Sequence, residues 1–102
     1  MATVTYTIAD QKAELAIHGR FDFAVHRDFR ETYEAILATP GVSALDVNLL
    51  DVDYIDSAAL GMLLLLREKT TAKHISMILS NTQGAVRQVL EVANFGRLFT
   101  IV

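Results

Sequence analysis

The chain has 102 residues, 52% of them hydrophobic and 21% charged, which suits a single-core domain and argues against a disordered chain. A formal charge of -3, from 9 basic and 12 acidic residues, with no run of Lys or Arg, offers no attraction for a phosphate backbone and argues against direct nucleic-acid binding. The absence of cysteine removes disulfides, thiol catalysis and cysteine-ligated zinc together, and suits a reducing compartment.

Val4, Tyr6 and Ile8 alternate with threonines, and Leu15 and Ile17 resume the alternation after Asp10-Gln11-Lys12, up to Gly19. This predicts two strands joined by a turn. From Val25 the period becomes helical, with Val25, Phe29, Tyr33, Ile36 and Leu37 on one face and Arg27, Asp28, Arg30 and Glu31 on the other. Pro40-Gly41 cannot continue that helix. Leu45, Val47 and Leu49 alternate with Asp46 and Asn48, which predicts a strand whose sheet has one wet face, and Leu50 breaks the pattern. Leu50 to Asp56 reads as a loop, followed by a helix from about Ala58 to Thr70 and a strand from Ile75 to Leu79. Ser80-Asn81-Thr82 with Gln83 offers N-cap chemistry for a last helix with the inner stripe Val86, Val89, Leu90 and Ala93. Asn94-Phe95-Gly96 ends it, and Leu98 to Val102 reads as a closing strand. The order of two strands, helix, strand, helix, strand, helix, strand predicts one α/β domain over residues 1–102, with right-handed crossovers and a mixed, mostly parallel sheet of about five strands.

The N-terminal MATVTYTIADQ lacks a basic segment followed by an apolar one, and the apolar run Ala58 to Leu66 is about half of the ~20 residues a membrane span needs. The chain therefore reads as a soluble, cytoplasmic protein without membrane contact.

One stretch carries chemistry. In YIDSAALGMLLLLRE, Tyr54 to Glu68, a serine stands between an aspartate and a run of apolar residues. Ser57 reads first as a helix cap, accepting a free backbone N–H of the first turn, a role worth about 1 kcal/mol. As a nucleophile it lacks the Gly-x-Ser-x-Gly elbow, and His18, His26 and His74 lie far apart, so a base would have to be brought in by the fold. No two histidines show the i, i+4 spacing of a helical zinc site, and neither a Walker loop nor a Gly-x-Gly-x-x-Gly run is present. These readings favour a non-enzyme without metal or cofactor.

The third reading is modification. A phosphate on Ser57 adds about -1.5 to -2 charges at the positive end of a helix, where the fold tolerates it. Asp51, Asp53 and Asp56 already make the preceding segment acidic, so the added charge acts on a docking partner rather than on folding. Leu60, Met62, Leu63, Leu64, Leu65 and Leu66 point in nearly every direction around the following helix. Either that helix is buried on all sides, or part of it is exposed for a partner.

Asp56-Ser57-Ala58-Ala59-Leu60-Gly61 resembles the Asp-Ser-Ser/Thr-Gly-Leu-Gly signature of the STAS domain, within which the chain is similar to the bacterial anti-sigma factor antagonists. Gly19-Arg20-Phe21-Asp22 and the segment Val89 to Phe99 extend the resemblance over almost the whole length. The resemblance implies a partner-switching protein of transcription regulation. Its partners would be an anti-sigma factor acting as serine kinase, which phosphorylates the residue corresponding to Ser57, and a PP2C-type phosphatase. The unphosphorylated form would bind the anti-sigma factor and free the sigma factor. Ala58 in place of the second hydroxyl leaves Ser57 as the only acceptor in the motif, and Ala59 in place of glycine stiffens the first turn. Partner-binding positions carried over are Asp22, Asp56, Ser57, Ala58, Leu60, Gly61, Met62 and Asn81. Asp22 reads equally as an N-cap, Asn81 as a cap of the last helix, and Met62 as core filling. The alternative function is a STAS subunit docked on a bacterial ABC-type transporter ATPase, with Ser57 as cap and contact residue and no phosphate turnover.

Overall fold

Two strands, β1 (Thr3–Ala9) and β2 (Lys12–Phe21), open the computed structural model, which describes residues 2–102 and leaves Met1 outside. They pair antiparallel, from Ala9 opposite Lys12 to Thr3 opposite His18. Asp10 makes the turn at φ 56°, a left-handed conformation that the short carboxylate side chain tolerates. Helix α1 (His26–Leu37) follows a short 3-10 turn, Phe23–Val25. Then come β3 (Ala44–Asn48), β4 (Val52–Ile55), α2 (Ser57–Ala72), β5 (Ser76–Ser80), α3 (Gly84–Val92), a second 3-10 turn at Phe95–Arg97, and β6 (Thr100–Ile101). The sheet order is β1-β2-β3-β5-β6, with β4 paired to β2 off this path. Every pairing except β1–β2 is parallel, as helical crossovers require.

The alternation seen in the sequence sorts the two faces of the sheet. Ala13, Leu15, Ile17, Leu45, Val47 and Leu79 are buried in one core with the inner stripes of the helices. In that core the rings of Phe21 and Phe29 lie 5.2 Å apart, and those of Phe29 and Tyr33 5.5 Å apart, each burial contributing roughly 1.5–3 kcal/mol. Residues of the opposite parity, among them Thr5, His18, Asp46 and Asn48, make the wet face. They are tied by hydrogen bonds between Thr5 and His18, between Ser80 and Asp46, and between Asn81 and Asn48.

The α/β class and the mostly parallel sheet agree with the sequence expectation, and the sheet has a sixth strand. The segment read as a loop contains β4, whose burial runs buried, exposed, exposed, buried over Val52–Ile55, so no alternation announces it. β2 is long enough to serve two partners, β3 along its first half and β4 along its second. The register shifts between Gly19 and Arg20, and Gly19 adopts φ 97°, a conformation open to glycine and closed to most side chains.

The last helix begins at Gly84, later than the expected cap residues, and Gln83 at its N-cap position makes no side-chain capping bond. The hydroxyls expected there are used in tertiary bonds instead: Ser80 donates to Asp46, and Thr82 donates to the Val102 carbonyl at 2.9 Å. Asn81, at φ 55°, donates to the Asn48 side chain at 3.1 Å, so it does not cap α3.

Candidate functional site

The site is organised by the C-terminal ends of β2 and β4. Their register sets Arg20 beside Tyr54 and Phe21 beside Ile55, so the next residues, Asp22 and Asp56, leave neighbouring strands at one edge of the sheet. Each carboxylate then caps the element that follows. Asp22 accepts the Ala24 N–H at 3.0 Å and caps the 3-10 turn, and Asp56 accepts the Ala59 N–H at 3.0 Å and caps α2. Both have extended backbones, φ -139° and -129°, as N-cap residues do.

Ser57 is therefore the first residue inside α2 rather than its cap, and it is exposed. The capping reading of the sequence moves one residue upstream, to a carboxylate that also suits the positive end of the helix dipole. Ala58 is half-buried behind Ser57. Arg20 lies against this edge with its guanidinium 3.8 Å from the centre of the Tyr54 ring and its Nε 3.4 Å from Asp22.

The leucine-rich helix resolves by position. Ala59, Leu63, Leu66 and Thr70 face the core. Leu60 and Met62 are half-buried, whereas Leu64 and Leu65 are 37% and 45% exposed. The helix is thus not enclosed on all sides, and part of its leucine content lies in solvent. Leu60 lines a shallow groove of about 390 Å³ together with Ala85, Val89, Val92 and Ala93 of α3 and the segment after it. Val92, one of its lining residues, is 78% exposed. Gly61 is exposed within α2, and a methyl group built on its Cα meets nothing within 4 Å. Nothing in the chain's own packing calls for glycine there, although glycine weakens a helix interior by about 0.5–1 kcal/mol.

The carried-over residues fall into two sets. Asp22, Asp56, Ser57 and Ala58 meet at the strand ends, and Leu60, Gly61 and Met62 continue from them along α2. Asn81 follows β5, whose last residue, Ser80, pairs with Asn48, so it stands at the ends of β3 and β5 rather than of β2 and β4. Val92, the most exposed large apolar residue of the Leu60 groove, carried no signal in the sequence beyond its place off the inner stripe of α3.

The three histidines do not meet, but the fold gives one of them an arrangement that sequence spacing concealed. On the wet face of the sheet His18 Nε2 lies 3.2 Å from the Thr5 hydroxyl, and its Nδ1 lies 2.9 Å from Asp51. Hydroxyl, imidazole and carboxylate stand in line. The His18 and Asp51 side chains are 39% and 59% exposed, so water reaches the array and it has none of the sheltered, preorganised surroundings on which acyl transfer depends. Among the described residues no three His, Cys, Asp or Glu side chains converge as metal ligands, and no helix is long and apolar enough to cross a membrane.

The comparisons with known proteins agree with this architecture. The family described as "Mlab, STAS domain" matches residues 4–102. A STAS-domain containing protein of Pseudomonas aeruginosa (strain UCBPP-PA14) is 42% identical over 102 residues, covering 99% of each chain. Two solved structures are alike in fold. One, an anti-sigma factor antagonist from Mycobacterium paratuberculosis, has a TM-score of 0.87 at 19% identity, covering 99% of this chain and 85% of the other. The other, the anti-sigma factor antagonist SpoIIAA in its unphosphorylated form, has a TM-score of 0.82 at 17% identity, covering 98% and 88%. With the sheet, the three helices and the aspartate-capped serine edge in place, the chain belongs to the STAS domain family.

Proposed function

We propose that this STAS domain is an anti-sigma factor antagonist of the cytoplasm, a non-enzymatic binding module controlled by phosphorylation. Unphosphorylated, it binds an anti-sigma factor that is also its serine kinase. Phosphorylated on Ser57, it releases that partner, and a PP2C-type phosphatase restores it. The observation that carries the reading is the position of Ser57, exposed on the first turn of a helix already capped by Asp56 and three residues before Leu60, which lines the apolar α2–α3 groove. A phosphoryl group there disturbs no capping bond, so its charge acts on the partner. Desolvating it against an apolar interface costs several kcal/mol, where about 2.7 kcal/mol already lowers affinity a hundredfold. The names of the structural neighbours support the same reading, since SpoIIAA has been solved both unphosphorylated and phosphorylated.

The test is intact-mass spectrometry of the protein from its native cells, with Ser57→Ala as control, followed by partner capture with Ser57→Asp. A species heavier by about 80 Da, the mass of one phosphoryl group, absent from the control, together with loss of a kinase partner in Ser57→Asp, is the expected result. A single unmodified mass under several growth conditions, with capture of a transporter ATPase, would replace the switch with a permanent subunit using the same apolar groove.

A further inference from the structure

A second concave surface lies away from the Ser57 edge, between α3 and the C-terminal strand. It is a groove of about 520 Å³ lined by Arg87 and Glu91 of α3, by Arg97 of the second 3-10 turn, and by Phe99, Thr100 and Ile101 at β6. In a chain of net charge -3, two guanidinium groups from separate elements share this groove with one carboxylate. Arg87 is weakly held: its Nε is 3.9 Å from Glu91 across an exposed i, i+4 pair, and its Nη1 is 3.5 Å from the Thr82 hydroxyl. Such a pair contributes little and yields readily to a stronger anion. A third cation stands behind the segment, since Arg67 Nε donates to the Leu98 carbonyl at 2.9 Å. The lining is not wholly polar. Phe99 is buried and stacked on Phe95, with ring centres 5.3 Å apart, and half-buried Ile101 lies beside it.

We propose that this groove binds a small organic phosphate, with its phosphoryl oxygens on Arg87 and Arg97 and its apolar body against half-buried Ile101. Two forked guanidinium groups match a dianionic phosphoryl group better than a single carboxylate. The binding displaces Glu91 from Arg87 and leaves Glu91 in solvent, where it is already exposed. The volume falls within the roughly 300–1,000 Å³ range of small-molecule sites. This groove shares no lining residue with the Leu60 groove, although both draw on α3.

The experiment is an NMR titration of the full chain at constant ionic strength with phenyl phosphate as probe, and with inorganic phosphate and phenol as separate arms. Phenyl phosphate is expected to shift the backbone amides of Arg97, Thr100 and Ile101 saturably. Inorganic phosphate should shift the same amides at markedly higher concentration, and phenol at higher still. Arg87→Gln and Arg97→Gln should each weaken phenyl phosphate binding by roughly ten- to hundredfold, the ratio one charge-assisted hydrogen bond supplies. Both arginines are exposed, and an unchanged thermal midpoint checks that each variant is folded. The proposal is overturned by a non-saturating response, by inorganic phosphate or phenol shifting the same amides at the same concentration as phenyl phosphate, or by undiminished binding when both arginines are replaced.

Discussion

Asp56 accepts the Ala59 N–H at 3.0 Å, and Ser57, the next residue, stands exposed on the turn that this bond closes. Of these two neighbours, only Asp56 therefore carries the capping bond. Asp56→Ala should destabilise the protein by about 1 kcal/mol, within the 0.5–2 kcal/mol span of lost N-caps. Ser57→Ala should change stability by less than about 0.5 kcal/mol, as exposed substitutions away from caps do. Urea unfolding of both variants measures this, and equal losses would return the capping role to Ser57.

Gly61 gives a second separation. No neighbour lies within 4 Å of a methyl group placed on it, so Gly61→Ala should stabilise α2 by about 0.5–1 kcal/mol through helix propensity alone. If a partner's backbone approaches this turn, the same methyl group should weaken capture of that partner. A variant that is more stable and binds as well as the parent would show that the partner docks elsewhere.

How far the sequence could be read follows from where its signals are local. The helical stripe of α1 and the alternation in β2 and β3 each involve residues that face one core, and the periodicity gives them directly. β4 escaped because its partner is the second half of β2, beyond the register shift at Gly19, and only Val52 and Ile55 of its four residues are buried. The start of α3 was misplaced because Ser80 and Thr82 bond to Asp46 and Val102, partners 34 and 20 residues away that no local cap rule contains. At the site, Ser57 and Asp56 were legible as neighbours in a motif, but the division of labour between them rests on a backbone angle. The line of Thr5, His18 and Asp51 joins three separate segments and is visible only in the fold.

The leucines of α2 should divide sharply when truncated. Leu63 is fully buried and Leu65 is 45% exposed. Leu63→Ala should cost about 2–5 kcal/mol through lost burial and a cavity, and Leu65→Ala less than about 0.5 kcal/mol. Chemical denaturation of the pair measures the difference. A large loss for Leu65 would mean that its exposed face is covered in solution, as by a second copy of the chain.

Tyr33 offers the most direct check on the core. It is 2% exposed, and its hydroxyl has no hydrogen-bond partner among the described residues. An unpaired buried polar group costs roughly 1–3 kcal/mol, so Tyr33→Phe should match or exceed the parent in stability at neutral pH. Burial raises the phenol pKa above its ordinary 10.0, Glu34 adds to the rise, and Arg30 opposes it. The folded state therefore holds this proton more tightly than the unfolded chain does. The resulting contribution is constant below pH 10.0 and is lost as the pH rises through the folded-state value. The advantage of Tyr33→Phe over the parent should accordingly be flat from pH 7 to about 9 and grow above 10, with the difference between the two proteins cancelling the titration of other groups. Denaturant unfolding across that range measures it, and a phenylalanine variant less stable by more than about 1 kcal/mol at pH 7 would show instead that the hydroxyl is hydrogen-bonded in solution.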